Sequence, residues 1–441
     1  MHAPAEKLTI NVWLNFLPDW QQIVDPIRRQ AAEFNRRHPQ YRVVIEAVSG
    51  ETFPHDLARA ARAGLAPHIA SVYWTYIQDA LDARDPDGRP LFTSVTKAVG
   101  GRREILGEPV VLDDIVANMR WRYTFDGDLS SMPRITSTSL LYSNIDALHA
   151  AGIAEPPSTW AEVEAACAAL AGRDGARRGG ITWPNFGWLA QQSVAQQGGL
   201  LADHENGRSG RAEKVDLMSP EMLAYVTWWR DLHRAGHYFY TGTQGDWWGC
   251  MQALADGDAA MMVSTSAEAG PIVAAGRRAG FRVQASRMPY NEGAGYAGNL
   301  VAGESMFLRD GLDEPTRDGA LAFMQFLANP RNAIGIYDNG RTFVPTTEAS
   351  IDLLASEGWF DQNPHYRAAF DQLRLSSDSP ATRGPVFGNF MPIQMAGDGA
   401  MHDVLVNGED LTARFSQAND QAQQLLDEYA QQVESASASN G

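Results

Sequence analysis

The side chains able to do chemistry gather in a few short stretches and make no catalytic signature. Residues 134–144, RITSTSLLYSN, place four hydroxyls in succession, Thr136, Ser137, Thr138 and Ser139, ahead of the apolar Leu140 and Leu141, then Tyr142, Ser143 and Asn144. Such a run favours a strand. Hydroxyls on a strand that crosses between two domains offer donors and acceptors to whatever lies between them, although they also suit bonds to their own backbone. Trp74 and Tyr76 follow a strand-like stretch at 69–73, and large rings at a strand exit are costly without a partner. Asn15 follows the first strand, where a ligand contact and a turn explain it equally well. Phe53 stands at a second such position. No HExxH, GxSxG or phosphate-loop motif and no triad-like spacing occurs. A glycosidase needs two carboxyls held a short distance apart, a pairing that 53 Asp and Glu residues neither reveal nor exclude.

The elements that must position these residues fit a chain of 441 residues, long enough for two lobes of about 200 residues each. A hydrophobic content of 44% and a charged content of 20% describe a folded globular protein. A formal charge of −17 argues against nucleic acid as a partner, because phosphate backbones need clustered Lys and Arg. The two cysteines, Cys167 and Cys250, lack metal-ligand spacing and read as buried thiols. No apolar run approaches the length of a membrane span. No leader or lipid-attachment cysteine is recognisable, which suits either a cytoplasmic protein or a mature exported one.

Leu8, Ile10 and Val12 alternate with polar residues as a strand, and Ile23, Ile27, Ala31 and Phe34 recur at helical spacing up to His38 and Pro39. With a strand over 41–48 this makes a β–loop–α–β unit, which places 13–19 and 49–53 on the side where ligands bind. A hairpin is expected over 121–127. Thr159 and Glu162 form a capping box, and Ser219 with Pro220 starts a helix. Residues 173–180, with Arg173, Arg177 and Arg178, read as a solvated basic loop, and 198–214 as an exposed one. Trp228, Trp229, Trp247 and Trp248 fall within helices and are expected to pack a core. Strands over 259–263, 281–285 and 305–308 follow. The last helix is expected over 411–433, with a Ser/Ala tail at 434–441.

In order and spacing, STSLLYSN, PPSTWAE, GDAAMMVSTS, RMPY, ALAFMQFLANPRNAIGIYDNGRTFVPTT and GNFMPIQ resemble the extracellular solute-binding proteins of carbohydrate ABC importers (family 1). Within these the resemblance is to the glycerol-3-phosphate and glycerophosphodiester-binding branch, over nearly the whole chain. It implies an α/β, two-lobed periplasmic-binding-protein fold, type II and maltose-binding-protein-like, with a hinge between lobes. Lobe 1 would hold 1–136 and 297–346, and lobe 2 would hold 137–296 and 347–438. The implied function is capture of a mono- or short oligosaccharide in the cleft and its delivery to membrane permease subunits. The protein would be extracytoplasmic and monomeric, without catalysis, cofactor or metal. A glycerol phosphate or glycerophosphodiester is the alternative ligand, and a glycoside hydrolase the competing function.

By position, Ser137 matches the family's hinge serine, Trp188 its stacking tryptophan and Gly303 its backbone-contacting glycine, while Ser264 or Ser266 falls where another ligand serine lies. A sugar ring needs an aromatic plate for its apolar face and hydrogen-bond partners for its rim. The departures are Trp74 for an acidic residue, Asn185 for a second tryptophan, Phe343 for a tyrosine, and Val386 near the phosphate-holding arginine. A phosphate needs Arg, Lys or a helix N-terminus. Arg341 and Arg383 are the candidate substitutes, and the loss of the branch arginine favours a neutral saccharide.

Overall fold

The computed structural model describes residues 6–16, 21–171, 178–334 and 343–438. Two sheets organise the chain. In the first lobe, Leu8–Phe16 lies parallel to both Tyr41–Ser49 and Ile69–Tyr73. Ala302–Arg309 then pairs antiparallel with Ile69–Tyr73, Phe92–Thr93 and Met132–Ser137. The second sheet runs in the order Tyr238–Phe239, Ile181–Thr182, Met261–Thr265, Ser139–Asn144, Val283–Arg287. Helices Gln21–Arg37 and Glu314–Ala328 cover the first sheet, where Phe34 meets Phe323 and Phe326 edge-on at 5.3 and 5.5 Å.

The hydroxyl run 134–144 is two strands and not one. Met132–Ser137 belongs to the first sheet, Ser139–Asn144 to the second, and Thr138 alone joins them. The break has a local cause. Thr138 N donates to Ser266 Oγ at 3.1 Å and its hydroxyl accepts from Gln372 Nε2 at 3.1 Å, so its polar groups are met by the second lobe. Thr136 donates its hydroxyl to the Val344 carbonyl at 2.6 Å, where the chain returns from the first lobe. Ile135, Ala267 and Phe343 form a small apolar cluster of their own beside this crossing.

Several local expectations hold. The hairpin turn lies at Asp126 and Gly127, at φ 50° and 81°, the backbone of a type I′ turn. Its strands are only Thr124–Phe125 and Asp128–Leu129, because Trp121 and Arg122 end the helix Ala117–Arg122. Thr159 Oγ1 accepts from Glu162 N at 3.2 Å while Glu162 Oε2 accepts from Ser158 N and Thr159 N. Ser219 caps Pro220–Arg234. Cys167 and Cys250 are free and buried.

Others are corrected. The stretch 198–214 is no exposed loop: Leu201, Ala202, Asn206 and Ala212 are buried, and Asn206 Oδ1 accepts from the Leu201 and Ala202 amides. The final helix, Leu411–Ala438, continues past Val433 into the expected tail, and 439–441 lie outside the described residues. Arg173 and Arg177 also lie outside them, while Arg178 is exposed, as expected, with its guanidinium 4.4 Å from the Phe239 ring. Among the described residues no helix is long and apolar enough to cross a membrane.

Candidate ligand-binding site

A cavity of about 590 Å³ opens between the lobes at the strand crossing. The first lobe contributes Tyr73 and Trp74 from the exit of Ile69–Tyr73, Ser137 from the crossing strand, and Ala302 and Gly303 opposite it. Gly303 is required here: its φ is 125°, and the Ile135 carbonyl fills the space a side chain would need. Phe343 closes this side. From the second lobe come Phe186 and Trp188 at the start of Gly187–Gln196, the residues Gly245 to Trp248, and Thr265, Ala267 and Glu268 at and after the end of the strand Met261–Thr265.

The aromatic walls are fixed by packing. Trp74, 2% exposed, meets Trp188 at 4.9 Å and 48°, and meets Phe390 edge-on at 5.0 Å. Trp247 packs edge-on against Phe186 at 5.6 Å, whereas Trp248 is 68% exposed and free to meet a ligand. Asp246 caps this helix, its Oδ1 accepting from Gly249 N at 2.7 Å. Glu268 Oε2 accepts from the Ser264 hydroxyl at 3.3 Å. The lining therefore carries two carboxylates, Asp246 and Glu268, and no Lys, Arg or His among the described residues.

Of the residues singled out in the sequence, Trp74, Ser137, Trp188, Gly303 and Phe343 come together here. The others do not. Asn15 lies within the first strand, Leu8–Phe16, opposite Val48, and is 8% exposed. Phe53 begins helix Phe53–Arg62 and is fully buried, an apolar anchor of the core. Asn185 is spent on structure, its Nδ2 donating to the Asp398 carbonyl at 2.8 Å. Ser264 is buried against Glu268, and Ser266 is 2% exposed beneath the Thr138 amide. Thr265, between them, faces the cavity instead, because alternate residues of a strand point to opposite faces. Arg341 lies outside the described residues. Arg383 is clasped by Asp378, Nε to Oδ1 at 2.6 Å and Nη2 to Oδ2 at 3.0 Å, and does not line the cavity.

The sequence reading missed Tyr73, Phe186, Asp246, Thr265 and Glu268, and it misplaced two tryptophans. Trp247 and Trp248 are the first two residues of helix Trp247–Asp256, so their rings leave the helix at its mouth and line the cleft; Trp247 also packs on Phe186 of the second lobe, whereas Trp248 is exposed. The Asp246 cap was a usable signal for that helix start. Trp228 and Trp229 do pack a core: Trp228 stacks on Trp160 and Trp183 at 4.7 and 5.5 Å, and Trp229 meets Trp183 at 5.5 Å.

Two lobes, a strand crossing and an aromatic cleft define a solute-binding protein. Residues 29–368 match the bacterial extracellular solute-binding protein family, and the chain belongs to it. It is 26% identical to the sn-glycerol-3-phosphate-binding periplasmic protein UgpB of Escherichia coli K12 over 458 residues, covering 99% of each chain. It is also 26% identical to UgpB of Salmonella typhimurium LT2, covering 95% of this chain and 92% of that one. Among solved structures, the sugar-binding protein MalE of Xanthomonas citri superposes with a TM-score of 0.76 at 17% identity, covering 97% of this chain and 99% of MalE. UgpB of Mycobacterium tuberculosis in complex with glycerophosphocholine gives 0.70 at 20% identity, covering 95% and 98%. These structures bear out the maltose-binding-protein-like, two-lobed fold.

Proposed function

We propose that this protein captures an uncharged polyhydroxylated ligand, a mono- or short oligosaccharide, between its lobes and delivers it to the permease of an ABC importer. The observation that carries this reading is the cleft lining. Trp74, Trp188, Trp247 and Trp248 supply plates for the apolar faces of sugar rings, while Asp246, Glu268, Ser137 and Thr265 supply acceptors and hydroxyls for the rim. Two carboxylates with no cation among the described lining residues disfavour a phosphate dianion in that cavity. Because the walls come from both lobes, a bridging ligand favours the closed form. No step of catalysis is part of this role.

Glycerol 3-phosphate or a glycerophosphodiester is the second reading, supported by what the relatives at 26% identity are named for. Titration of intrinsic tryptophan fluorescence separates the two, since four tryptophans line the cavity. A saturable change with a neutral sugar supports the first reading, and a change with glycerol 3-phosphate but with no neutral sugar supports the second. Turnover of a nitrophenyl glycoside would instead make Asp246 and Glu268 a hydrolytic pair and overturn both.

A further inference from the structure

Two buried arginines meet across the lobe boundary with no carboxylate between them. Arg122 ends helix Ala117–Arg122 of the first lobe and is 1% exposed. Arg208 belongs to the second lobe, just after residues 204–206, whose φ angles are all positive. Arg122 Nη1 donates to the carbonyls of Arg383 at 2.7 Å and Pro385 at 3.5 Å. Arg208 Nε donates to the Gly384 carbonyl at 2.6 Å, and its Nη2 to the carbonyls of Arg122, at 3.2 Å, and Arg383. Both guanidiniums therefore donate to one oxygen, that of Arg383, which brings two like charges together out of water.

Their remaining donors find nothing. Arg122 Nε and Nη2, Arg208 Nη1 and the neighbouring Tyr123 hydroxyl are buried without a hydrogen-bond partner among the described residues. Asp378 is the acid near Arg208, but it is engaged by Arg383. Burial pulls the Arg122 guanidinium down to about 10, and burial followed by the charge of Arg122 pulls Arg208 well below its ordinary value. Aromatic rings wall the site: Arg122 Cζ stands 5.7 Å from the Trp74 ring and Arg208 Cζ 5.2 Å from the Phe125 ring. Gly384, at φ 76°, leaves the space that Arg122 Nη1 occupies. A buried cation without a counter-charge is costly, and a pair of them more so.

We propose that Arg122, Arg208 and Tyr123 receive a small oxyanion of the phosphate class at the seam between the lobes, and that this anion helps hold the lobes together. Guanidinium N–H groups match the oxygens of such an anion, and charge-assisted hydrogen bonds to it are short and strong. One arginine comes from each lobe, so an anion bonded to both exists only when the lobes meet. The site is a separate one, behind the Trp74 ring that faces the cleft, and it does not rest on the saccharide reading. The anion has two possible sources, free inorganic phosphate or the phosphate of an esterified ligand.

Calorimetric titration at fixed ionic strength tests this with inorganic phosphate, glycerol 3-phosphate and glycerol on the full chain, on Arg122→Lys, on Arg208→Lys and on Tyr123→Phe. Saturable binding of phosphate, weakened at least tenfold in either lysine variant and less in Tyr123→Phe, is expected. Tyr123→Phe removes a single hydroxyl and keeps the test usable if a lysine variant fails to fold. Glycerol 3-phosphate binding more tightly than phosphate would make the anion the phosphate of an esterified ligand, and equal affinities would make it a free ion. No binding of either, or binding unchanged in all folded variants, would overturn the site. Neutral-sugar binding, measured on the same samples, reports on the cleft independently.

Discussion

Trp74 and Trp188, one from each lobe, lie with ring centroids 4.9 Å apart and planes inclined at 48°. Each is nearly buried, at 2% and 4% exposed, and each lines the cavity between the lobes. The pair is at once lobe-to-lobe packing and cavity wall, so truncating either ring acts on stability and on the cleft together. Trp188→Ala should cost about 3–5 kcal/mol of stability, the usual cost of emptying a buried aromatic site. A melting point unchanged by that substitution would contradict the packing described here.

Trp248 separates the two effects. At 68% exposure it contributes little packing, so Trp248→Ala should leave stability within about 0.5 kcal/mol. It should weaken ligand affinity about tenfold, equivalent to ~1.4 kcal/mol. Calorimetric titration checks the affinity and thermal melting the stability. Affinity equal to that of the parent would remove Trp248 from the ligand's contacts.

Arg211 and Asp82 clasp the lobes at the rim of the seam. Arg211 Nη1 donates to Asp82 Oδ2 at 2.7 Å, and Tyr429 Oη reaches the same oxygen at 3.0 Å. Arg211→Ala touches no residue lining the cleft, yet it should lower ligand affinity severalfold by favouring the open form. Small-angle scattering should show a larger radius for the unliganded variant. The same radius and the same affinity would mean that the ion pair does not bias closure.

Asp79 gives a signed pH dependence. Burial, aided by the charge of Asp82, lifts its carboxyl from 3.8 to about 7. Between those values the folded chain holds a proton that the unfolded chain has released, so this residue's contribution to stability falls as pH rises through that window. Below it both states are protonated and the effect vanishes. Asp79→Asn should therefore melt progressively higher than the parent from pH 5 to pH 8. A difference in melting point that stays constant with pH would refute the raised value.

Burial pushes the Cys167 and Cys250 thiols up to about 12, which leaves almost no thiolate near neutrality. A thiol reagent at pH 8 should label neither in the native protein and both after unfolding. Rapid native labelling would place a thiol at the surface.

The parts of this structure that could be read from the sequence are those with local causes. Alternating Leu8, Ile10 and Val12, the helical spacing of Ile27, Ala31 and Phe34, and the Thr159–Glu162 capping box each depend on near neighbours, and each lies where expected. The site depends on long-range meetings. Thr265 faces the cavity while Ser264 and Ser266 do not, because the strand ends there and a tight turn follows. Trp247 and Trp248 look like core residues until the Asp246 cap fixes where their helix starts. Arg122 and Arg208 are 86 positions apart, and nothing near either one announces the other.

The most direct measurement is a thermal-shift panel on the purified protein, since a ligand that binds only the folded state raises its melting point by mass action. Neutral mono- and oligosaccharides, glycerol 3-phosphate and glycerophosphodiesters are compared at equal ionic strength. The cleft described here predicts a concentration-dependent rise with at least one neutral saccharide, lost in Trp248→Ala. Shifts with phosphate esters alone, and none with any neutral sugar, would contradict it.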